Sequence, residues 1–495
     1  MTELIINLRS LFFENKTIKQ TLLKNSFWIG ISGGICKALR ALLVIYIARA
    51  LGPTDYGKFA FALAFVSLFV SFFDMGLSNI ITREFAKKER HPKDFYSLFW
   101  LKIILGIAGV MLILMFSFLA GSSPEIKIVI WVLALVTFLN QVPELFYAFF
   151  RSREKMEYES LINLFQAVLL VLVIYFLAHS DFFNLLNISI SYFIAGLIPL
   201  IMLFVFFSYK FFPLKFVFDF KTAKDFLRMS FPLALTSVSA MIFGYIDSTI
   251  LGISNQVAET GYYNAALRII NIIILPAGII TLSFYPLLSR FYREDKRKFQ
   301  RVFDVEMSWM VILAVPILIG GLVLAPQVIN FVYGPSYNPS TFAFQILLIM
   351  VFIFYIQNTF SQLLIVINQE WKTFWMAFIG ALANIVLNIF LIFRFSFYGA
   401  ALASLITYII MLILSLIFVK KSDSVEILSK DTFLAVLGSV LAGFVMYFVI
   451  AYPKVYYANI LISVLLGSLV YFFALFVFNY LLTGFVDYLT SKEKR

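Results

Sequence analysis

The sequence predicts an all-α polytopic membrane protein with 14 transmembrane helices. Three observations lead to this fold class: the composition, a series of long apolar stretches and the distribution of the basic residues. Hydrophobic residues make up 62% of the 495 residues and charged residues only 13%, too few charges to cover a water-exposed surface. Membrane-spanning β-strands are much shorter and alternate polar with apolar residues, so the long stretches predict helices.

The apolar stretches recur from residue 25 to residue 482. A helix needs about 20 apolar residues to cross the hydrocarbon core of a bilayer, and each stretch meets this length or comes close to it. The predicted spans lie at 25–48, 59–82, 98–120, 128–150, 160–178, 185–209, 229–252, 261–289, 305–331, 341–366, 373–393, 397–419, 432–452 and 457–482.

The basic residues predict the orientation of these spans. The segment before the first span and every second loop after it together hold 30 of the 39 Lys and Arg residues. The alternate loops hold 5, and the remaining 4 lie within spans. Because positive residues stay on the cytoplasmic side during insertion, we expect both termini to be cytoplasmic. The net charge of +12 then reflects topology and contact with anionic lipid headgroups, and no nucleic-acid partner is expected.

Weak internal similarity predicts two six-helix lobes. A shift of 204 residues aligns Gly57 with Gly261 and Ala62 with Ala266, and a shift of 216 aligns Gln141 with Gln357. The shifts superimpose spans six apart, so the repeats would be parallel and related by a pseudo-two-fold axis along the membrane normal. The predicted organisation is a cytoplasmic segment at 1–24, an N-lobe at 25–228, a C-lobe at 229–430, an appended helix pair at 431–484 and a cytoplasmic tail at 485–495. A surface helix is predicted at 4–13.

The sequence argues against an enzyme. The external loops run about ten residues or fewer, and no phosphate-binding loop, metal-ligand cluster or nucleophile motif is recognisable. His91 and His179 are isolated in loops, and the single Cys36 excludes an intramolecular disulfide. We therefore predict no catalytic residues, no metal site and no cofactor.

Charged residues inside the spans are the candidate functional residues, because each is costly at bilayer depth unless it faces a cavity or a partner. Lys37 and Arg40 lie three residues apart, on one face of the first span. Lys37 lies roughly 17 Å and Asp74 roughly 12 Å from the inner end of its span, so a Lys37–Asp74 ion pair is predicted. Lys102 lies near the inner end of the third span and is expected to extend to the interface.

Three further charges complete the candidate set. Asp247 and Arg268 both fall a few residues from the outer ends of their spans, and Glu144 follows Pro143 in the fourth span, where a broken helix could expose backbone groups. Two interpretations remain open. The charges either pair and fix helix packing, or Lys37, Arg40 and Arg268 line a wet cavity and attract an anionic headgroup. Acidic residues would then neutralise the empty cavity or bind a coupling cation.

Four short motifs resemble those of polysaccharide-biosynthesis flippases. Residues 48–57 (ARALGPTDYG) are similar to the pattern AR-LGP-x-x-YG, and residues 73–84 contain the elements FDMGL and TRE. Residues 261–268 (GYYNAALR) resemble the motif G-x-Y-x-A-A-x-R, and residues 333–337 (YGPSY) resemble a YG-x-x-Y loop. The resemblance covers roughly residues 20–420. It places the chain beside the flippases of the multidrug/oligosaccharidyl-lipid/polysaccharide superfamily.

The resemblance implies two six-helix lobes around a central cavity and transport by alternating access. It also implies the substrate, an isoprenoid lipid diphosphate that carries an oligosaccharide. Lys37, Arg40 and Arg268 would bind the diphosphate, and Asp74, Glu144 and Asp247 would be acidic residues of the cavity. Membrane lipids and the glycosyltransferases or polymerase of the same pathway are the expected partners.

Two alternatives remain open at this point. A cation-coupled multidrug exporter of the same superfamily would bind lipophilic cations, which basic cavity residues disfavour and the three acidic residues favour. A nontransporting scaffold of a glycan-synthesis complex would tolerate substitutions in the cavity.

Overall fold

A computed structural model describes residues 15, 17–87, 92–121, 123–422, 425–427, 429–457 and 459–492, with side chains up to residue 479. The predicted surface helix at 4–13 lies outside the described residues. All regular secondary structure in the described part is helical, and the α-helices are α1 (Ile18–Leu68), α2 (Val70–Asp74), α3 (Leu77–Lys87), α4 (Pro92–Leu119), α5 (Pro124–Gln141), α6 (Pro143–Ser152), α7 (Met156–Ala178), α8 (Leu185–Lys210), α9 (Phe220–Ile253), α10 (Val257–Ile273), α11 (Leu275–Glu294), α12 (Lys296–Tyr333), α13 (Ser340–Val366), α14 (Glu370–Lys420), α15 (Lys430–Ala451), α16 (Pro453–Tyr456) and α17 (Ile460–Lys492). A 3₁₀ turn at Pro335–Tyr337 links α12 to α13.

Twelve helical segments of the described chain are long and apolar enough to cross a membrane, which confirms a polytopic all-α protein. Two of them, α1 and α14, contain 51 residues each and are bent at a non-helical residue, Gly52 and Ser396. At 1.5 Å per residue each measures roughly 77 Å, more than twice the ~30 Å hydrocarbon core. The sequence counted each as two spans, so the fourteen predicted spans correspond to twelve continuous segments.

Several predicted spans are interrupted in the structure. The second predicted span, 59–82, falls on the end of α1, on α2 and on the start of α3. The chain turns between α2 and α3 at Met75 and Gly76, which both have positive φ. A Cβ at Gly76 would lie 2.8 Å from the Leu233 Cβ atom, so only glycine allows this close approach to α9. The fourth and eighth predicted spans break before Pro143 and Pro276, each in the first turn of the next helix, where proline is tolerated.

The chain divides into two compact units, residues 1–258 and 259–495. In unit 1, α9 packs against α1, α3 and α4. Aromatic rings fill part of its core, where Phe95, Phe146, Phe149 and Phe207 make edge-to-face or stacked contacts. In unit 2, α12 packs against α11, α13 and α15. The proposed lobe boundary between residues 228 and 229 stays a prediction.

Candidate functional site

One face of α1 carries the two cations of the first predicted span. The side chains of Lys37 and Arg40 are both exposed. At Gly30, Gly33 and Gly34, which share this part of the helix, an added Cβ would meet no atom within 4 Å. The described part of the chain therefore leaves open space in front of these three glycines, on the stretch of α1 that leads up to the two cations.

A short chain of polar groups holds Arg40. Its Nη2 atom donates a hydrogen bond to Gln166 Oε1 on α7 at 3.3 Å. Gln166 Nε2 in turn donates to Asn140 Oδ1 on α5 at 2.6 Å. The guanidinium is thus oriented by a neutral amide, which leaves its positive charge in place.

Asp74 pairs with Lys102, and the predicted Lys37–Asp74 ion pair was wrong. Asp74 ends α2, at the turn formed by Met75 and Gly76, and its carboxylate forms an ion pair with the Lys102 ammonium. It also accepts a hydrogen bond from Ser78 Oγ at 2.6 Å. Lys102 is 2% exposed, so the expectation that it extends to the interface was also wrong. Depth along the span could not separate the two lysines, because the pairing depends on which way each helix faces.

Glu144 belongs to a three-membered charge cluster. The break before Pro143 places it in the first turn of α6, and its Oε2 atom lies 3.6 Å from Arg151 Nη2. Arg151 also binds Glu159 on α7 through two nitrogens, with Nε to Oε2 at 2.7 Å. The guanidinium of Arg151 therefore lies between two carboxylates.

A buried ion pair lies near the N-termini of α1 and α7. Lys24 Nζ lies 3.0 Å from Glu157 Oε2, and the two side chains are 0% and 1% exposed. In the sequence, Lys24 and Arg151 served only as topology signals, and Glu157 and Glu159 were not among the candidate residues. Their position beside the predicted fifth span was the available signal, since acidic residues at a span boundary need partners.

The other two candidates fall in different units. Asp247 lies on α9 in unit 1, is 4% exposed, and accepts a hydrogen bond from the Ser248 backbone N–H at 2.7 Å. Arg268 lies on α10 in unit 2 and is half-buried. Their shared depth in the membrane, and a role for either in a cavity, stay predictions.

The interior of unit 2 is lined by amides, hydroxyls and an apolar cavity. Asn388 donates to the Asn384 Oδ1 atom at 3.0 Å, and Asn384 donates to Thr407 Oγ1 at 3.4 Å. All three residues are buried. A separate cavity of about 340 Å³ is lined by apolar residues of α10, α12, α13, α15 and α17, among them Ile269 and Phe472.

Comparisons with known proteins agree with this architecture. The "Putative O-antigen transporter" of Escherichia coli K12 is 21% identical over 82% of this chain and 98% of its own length. The "Probable low-salt glycan biosynthesis flippase Agl15" of Haloferax volcanii is 21% identical over 51% of this chain and 54% of its own. A solved structure of the lipid II flippase MurJ in an inward closed conformation shares the fold, with a TM-score of 0.74, 19% identity, and coverage of 93% of this chain and 100% of that one.

The model of the family "Polysaccharide biosynthesis protein" matches residues 22–292, more than half of the chain. The match begins within α1 and ends within α11, so it contains the motifs at 48–57, 73–84 and 261–268 on which the resemblance was based. It confirms the resemblance found in the sequence. The chain therefore belongs to the polysaccharide biosynthesis protein family.

Proposed function

We propose that this protein is a membrane transporter that moves an isoprenoid-diphosphate-linked oligosaccharide from the cytoplasmic to the outer leaflet. It works by alternating access, supplies surface polysaccharide or glycan synthesis, and carries out transport without catalysis. Membership of the polysaccharide biosynthesis family supports this function. The single structural observation that carries it is the exposed pair of cations on α1, Lys37 and Arg40, next to open space.

The pairing of the acidic residues favours an anionic headgroup. Asp74 is paired with Lys102, and Glu144 lies beside Arg151, so neither of these carboxylates is paired with Lys37 in the described structure. Arg40 uses one N–H group for Gln166, and a guanidinium has five. The α1 face can therefore donate several charge-assisted hydrogen bonds to a diphosphate. Arg268, which ends the GYYNAALR motif, is proposed as a third ligand.

The remaining parts of the substrate have different requirements. The sugars need an aqueous path, and the isoprenoid chain needs an apolar one, either the bilayer itself or the cavity of unit 2. The proposed location is the cell membrane with both termini in the cytoplasm, which follows from the distribution of basic residues. Glycosyltransferases or a polymerase of the same pathway are the proposed partners.

The test is a flipping assay in sealed proteoliposomes. A fluorescent lipid-diphosphate oligosaccharide is followed as it becomes accessible to an external probe, in the wild type and in Lys37→Ala, Arg40→Ala and Arg268→Ala. Each charge-assisted hydrogen bond contributes about 1.5–3 kcal/mol, so each variant is expected to flip about 10–100-fold more slowly. Lys19→Ala is the matched control for Lys37→Ala, because Lys19 is also exposed on α1.

Each alternative function predicts a different result. Wild-type flipping rates in all three variants would contradict the cationic headgroup site. Efflux of a lipophilic cation without movement of the lipid would identify a drug exporter. A scaffold would show neither activity, and glycan assembly in cells would tolerate all three substitutions.

A further inference from the structure

Glu306 is a buried acidic residue of unit 2 that is not part of the proposed headgroup site. It lies on α12, its side chain is 0% exposed, and neither carboxyl oxygen has a hydrogen-bond partner among the described residues. Val305 and Trp309 on the same helix are 41% and 53% exposed. The helix therefore turns Glu306 into the protein and presents other residues outward. Glu306 falls inside the predicted span 305–331 but was not among the candidate residues.

Asp304, a neighbouring acidic residue on α12, is buried like Glu306 but has hydrogen-bond donors. Asp304 accepts hydrogen bonds from Gln300 Nε2 at 2.9 Å and from Thr432 Oγ1 at 3.1 Å. Two donors thus stabilise its negative charge. Glu306, only two residues further along, has no such donor.

Other unpartnered polar groups lie at the same level of the α12–α13 hairpin. The two helices run antiparallel: Gln345 Nε2 donates to the Leu322 carbonyl at 3.0 Å, and the Phe303 and Phe360 rings are 6.0 Å apart. This register places Glu306 level with residues 357–361. The Thr359 hydroxyl lies within this range, and both amide atoms of Gln362 lie one residue beyond it. All three atoms are buried without a hydrogen-bond partner.

The groups around Glu306 do not neutralise its charge. Helix α13 contains no charged residue, and its Tyr355 donates to the Ile273 carbonyl at 2.7 Å. Tyr471 on α17 donates to the Ile312 carbonyl at 2.9 Å. The remaining titratable or charged residues of the described elements that pack against α12, of the adjoining segments and of α12 itself are Tyr285, Arg290, Tyr292, Arg293, Glu294, Asp295, Lys296, Arg297, Lys298, Arg301, Asp304, Tyr333, Tyr337, Glu426, Lys430, Asp431 and Tyr447. None of them forms an ion pair or hydrogen bond with Glu306 in the described structure.

We propose that Glu306 is a proton-binding site: it holds a proton while α11, α12 and α13 are packed as in this structure, and releases it when these helices separate. An isolated ionised carboxylate is far more costly to bury than the neutral acid, and water entering between the helices would reverse that preference. A metal ion would require several oxygen or nitrogen ligands, and no group of three His, Cys, Asp or Glu side chains suited to a metal is found among the described residues.

The consequence for transport rests on the proposed function. If separation of these helices accompanies one step of alternating access, that step releases a proton, and the reverse step takes one up. The flipping rate would then depend on pH through Glu306. Protonation of Glu306 itself does not depend on what the protein transports.

The test measures the proton directly by infrared spectroscopy of the full-length protein with ¹³C-labelled glutamate carboxyls in lipid. The wild type at neutral pH is expected to show a protonated carboxyl C=O band that Glu306→Gln lacks. Glu370→Gln is the matched control, because Glu370 is exposed at the start of α14, and it should retain the band. An identical protonated band in wild type and Glu306→Gln, or its absence from the wild type, would overturn the proposal.

Flipping assays on the same variants separate the two proposals. Glu306→Gln imitates the protonated side chain and should fold as the wild type does, with loss of the pH dependence of flipping. If no variant flips lipid but the infrared band behaves as expected, the proposed function fails and the proton site stands. If flipping proceeds and its pH dependence survives in Glu306→Gln, the coupling through Glu306 is refuted.

Discussion

The two compact units solve the problem of buried polar groups in different ways. Unit 1 contains two ion pairs, Lys24–Glu157 and Lys102–Asp74, in each of which at least one side chain is no more than 2% exposed. It also contains the Arg151 cluster. In unit 2 the ion pairs of the described residues, Arg290–Glu294 and Lys298–Asp295, are exposed and local to one helix. Its interior contains neutral amide and hydroxyl hydrogen bonds, together with the buried carboxyl of Glu306, which has no hydrogen-bond partner among the described residues.

The difference indicates where each unit is sensitive to substitution. A buried ion pair contributes little net stability, but removal of one partner is strongly destabilising because it leaves an uncompensated buried charge. A neutral amide network loses about one hydrogen bond when a member is removed. Unit 1 should therefore suffer large losses from single substitutions, and unit 2 smaller ones.

The largest effect is expected from Lys24→Ala, because Glu157 is 1% exposed and would keep its charge without this partner. The free energy of unfolding should fall by about 3–5 kcal/mol, measured by denaturant titration in detergent micelles. The double variant Lys24→Met/Glu157→Met should recover most of the loss. A loss below about 1 kcal/mol in Lys24→Ala, the range of an exposed pair, would break the comparison between the units.

Arg151→Ala should have the next largest effect. It removes the cation between Glu144 and Glu159, whose carboxylates would then repel each other. Since Arg151 is 28% exposed, water screens part of the loss, and we expect a decrease of about 2 kcal/mol in the free energy of unfolding. Arg153→Ala, two residues further on and exposed, is the control and should stay within about 0.5 kcal/mol of wild type.

Asn388→Ala tests the neutral network of unit 2. The side-chain amide of Asn388 donates hydrogen bonds to the backbone carbonyl and to the side-chain Oδ1 atom of Asn384. Its loss should reduce the free energy of unfolding by about 1–2 kcal/mol. A reduction as large as that of Lys24→Ala would show that the two interiors are equally sensitive, contrary to the comparison.

The smallest effects on stability are expected at the aspartate N-caps, which occur in both units. Asp219 caps α9 and Asp295 caps α12, and each carboxylate accepts hydrogen bonds from two backbone N–H groups of the first turn. The hydrogen bonds from Thr222 lower the pKa of Asp219, and the backbone hydrogen bond from Lys298 lowers that of Asp295. A lowered pKa means that the stabilisation is present above the ordinary value of about 3.9 and is lost as the pH falls through the lower value of the folded state.

Asp219→Asn and Asp295→Asn should each remove a small part of this acid sensitivity, by a similar amount in both units. Melting temperatures measured between neutral and acidic pH would check this. Clearly unequal effects would mean that the surroundings of the two caps differ more than their hydrogen bonds indicate.

Candidate residues could be predicted from the sequence more readily than their partners. The sequence identified Lys37, Arg40, Asp74 and Glu144 as intramembrane charges, and the structure describes all four. It paired Asp74 with the wrong lysine and gave Glu144 no partner. The depth of a residue follows from its place in a span, whereas the direction of its side chain depends on the rotation of each helix and on breaks such as that at Met75 and Gly76.

The sequence by itself determined the class of the protein, its family and the approximate extent of its spans. These properties are local, because hydropathy, basic flanks and short motifs are read within a few tens of residues. Tertiary structure alone decided that Asp74 meets Lys102, that Arg151 lies between two carboxylates, and that Glu306 is buried without a partner. The Asp74–Lys102 and Arg151–Glu159 pairs join residues on different helices. These pairs and the burial of Glu306 depend on how neighbouring helices pack in an environment where apolar surface faces lipid and protein alike.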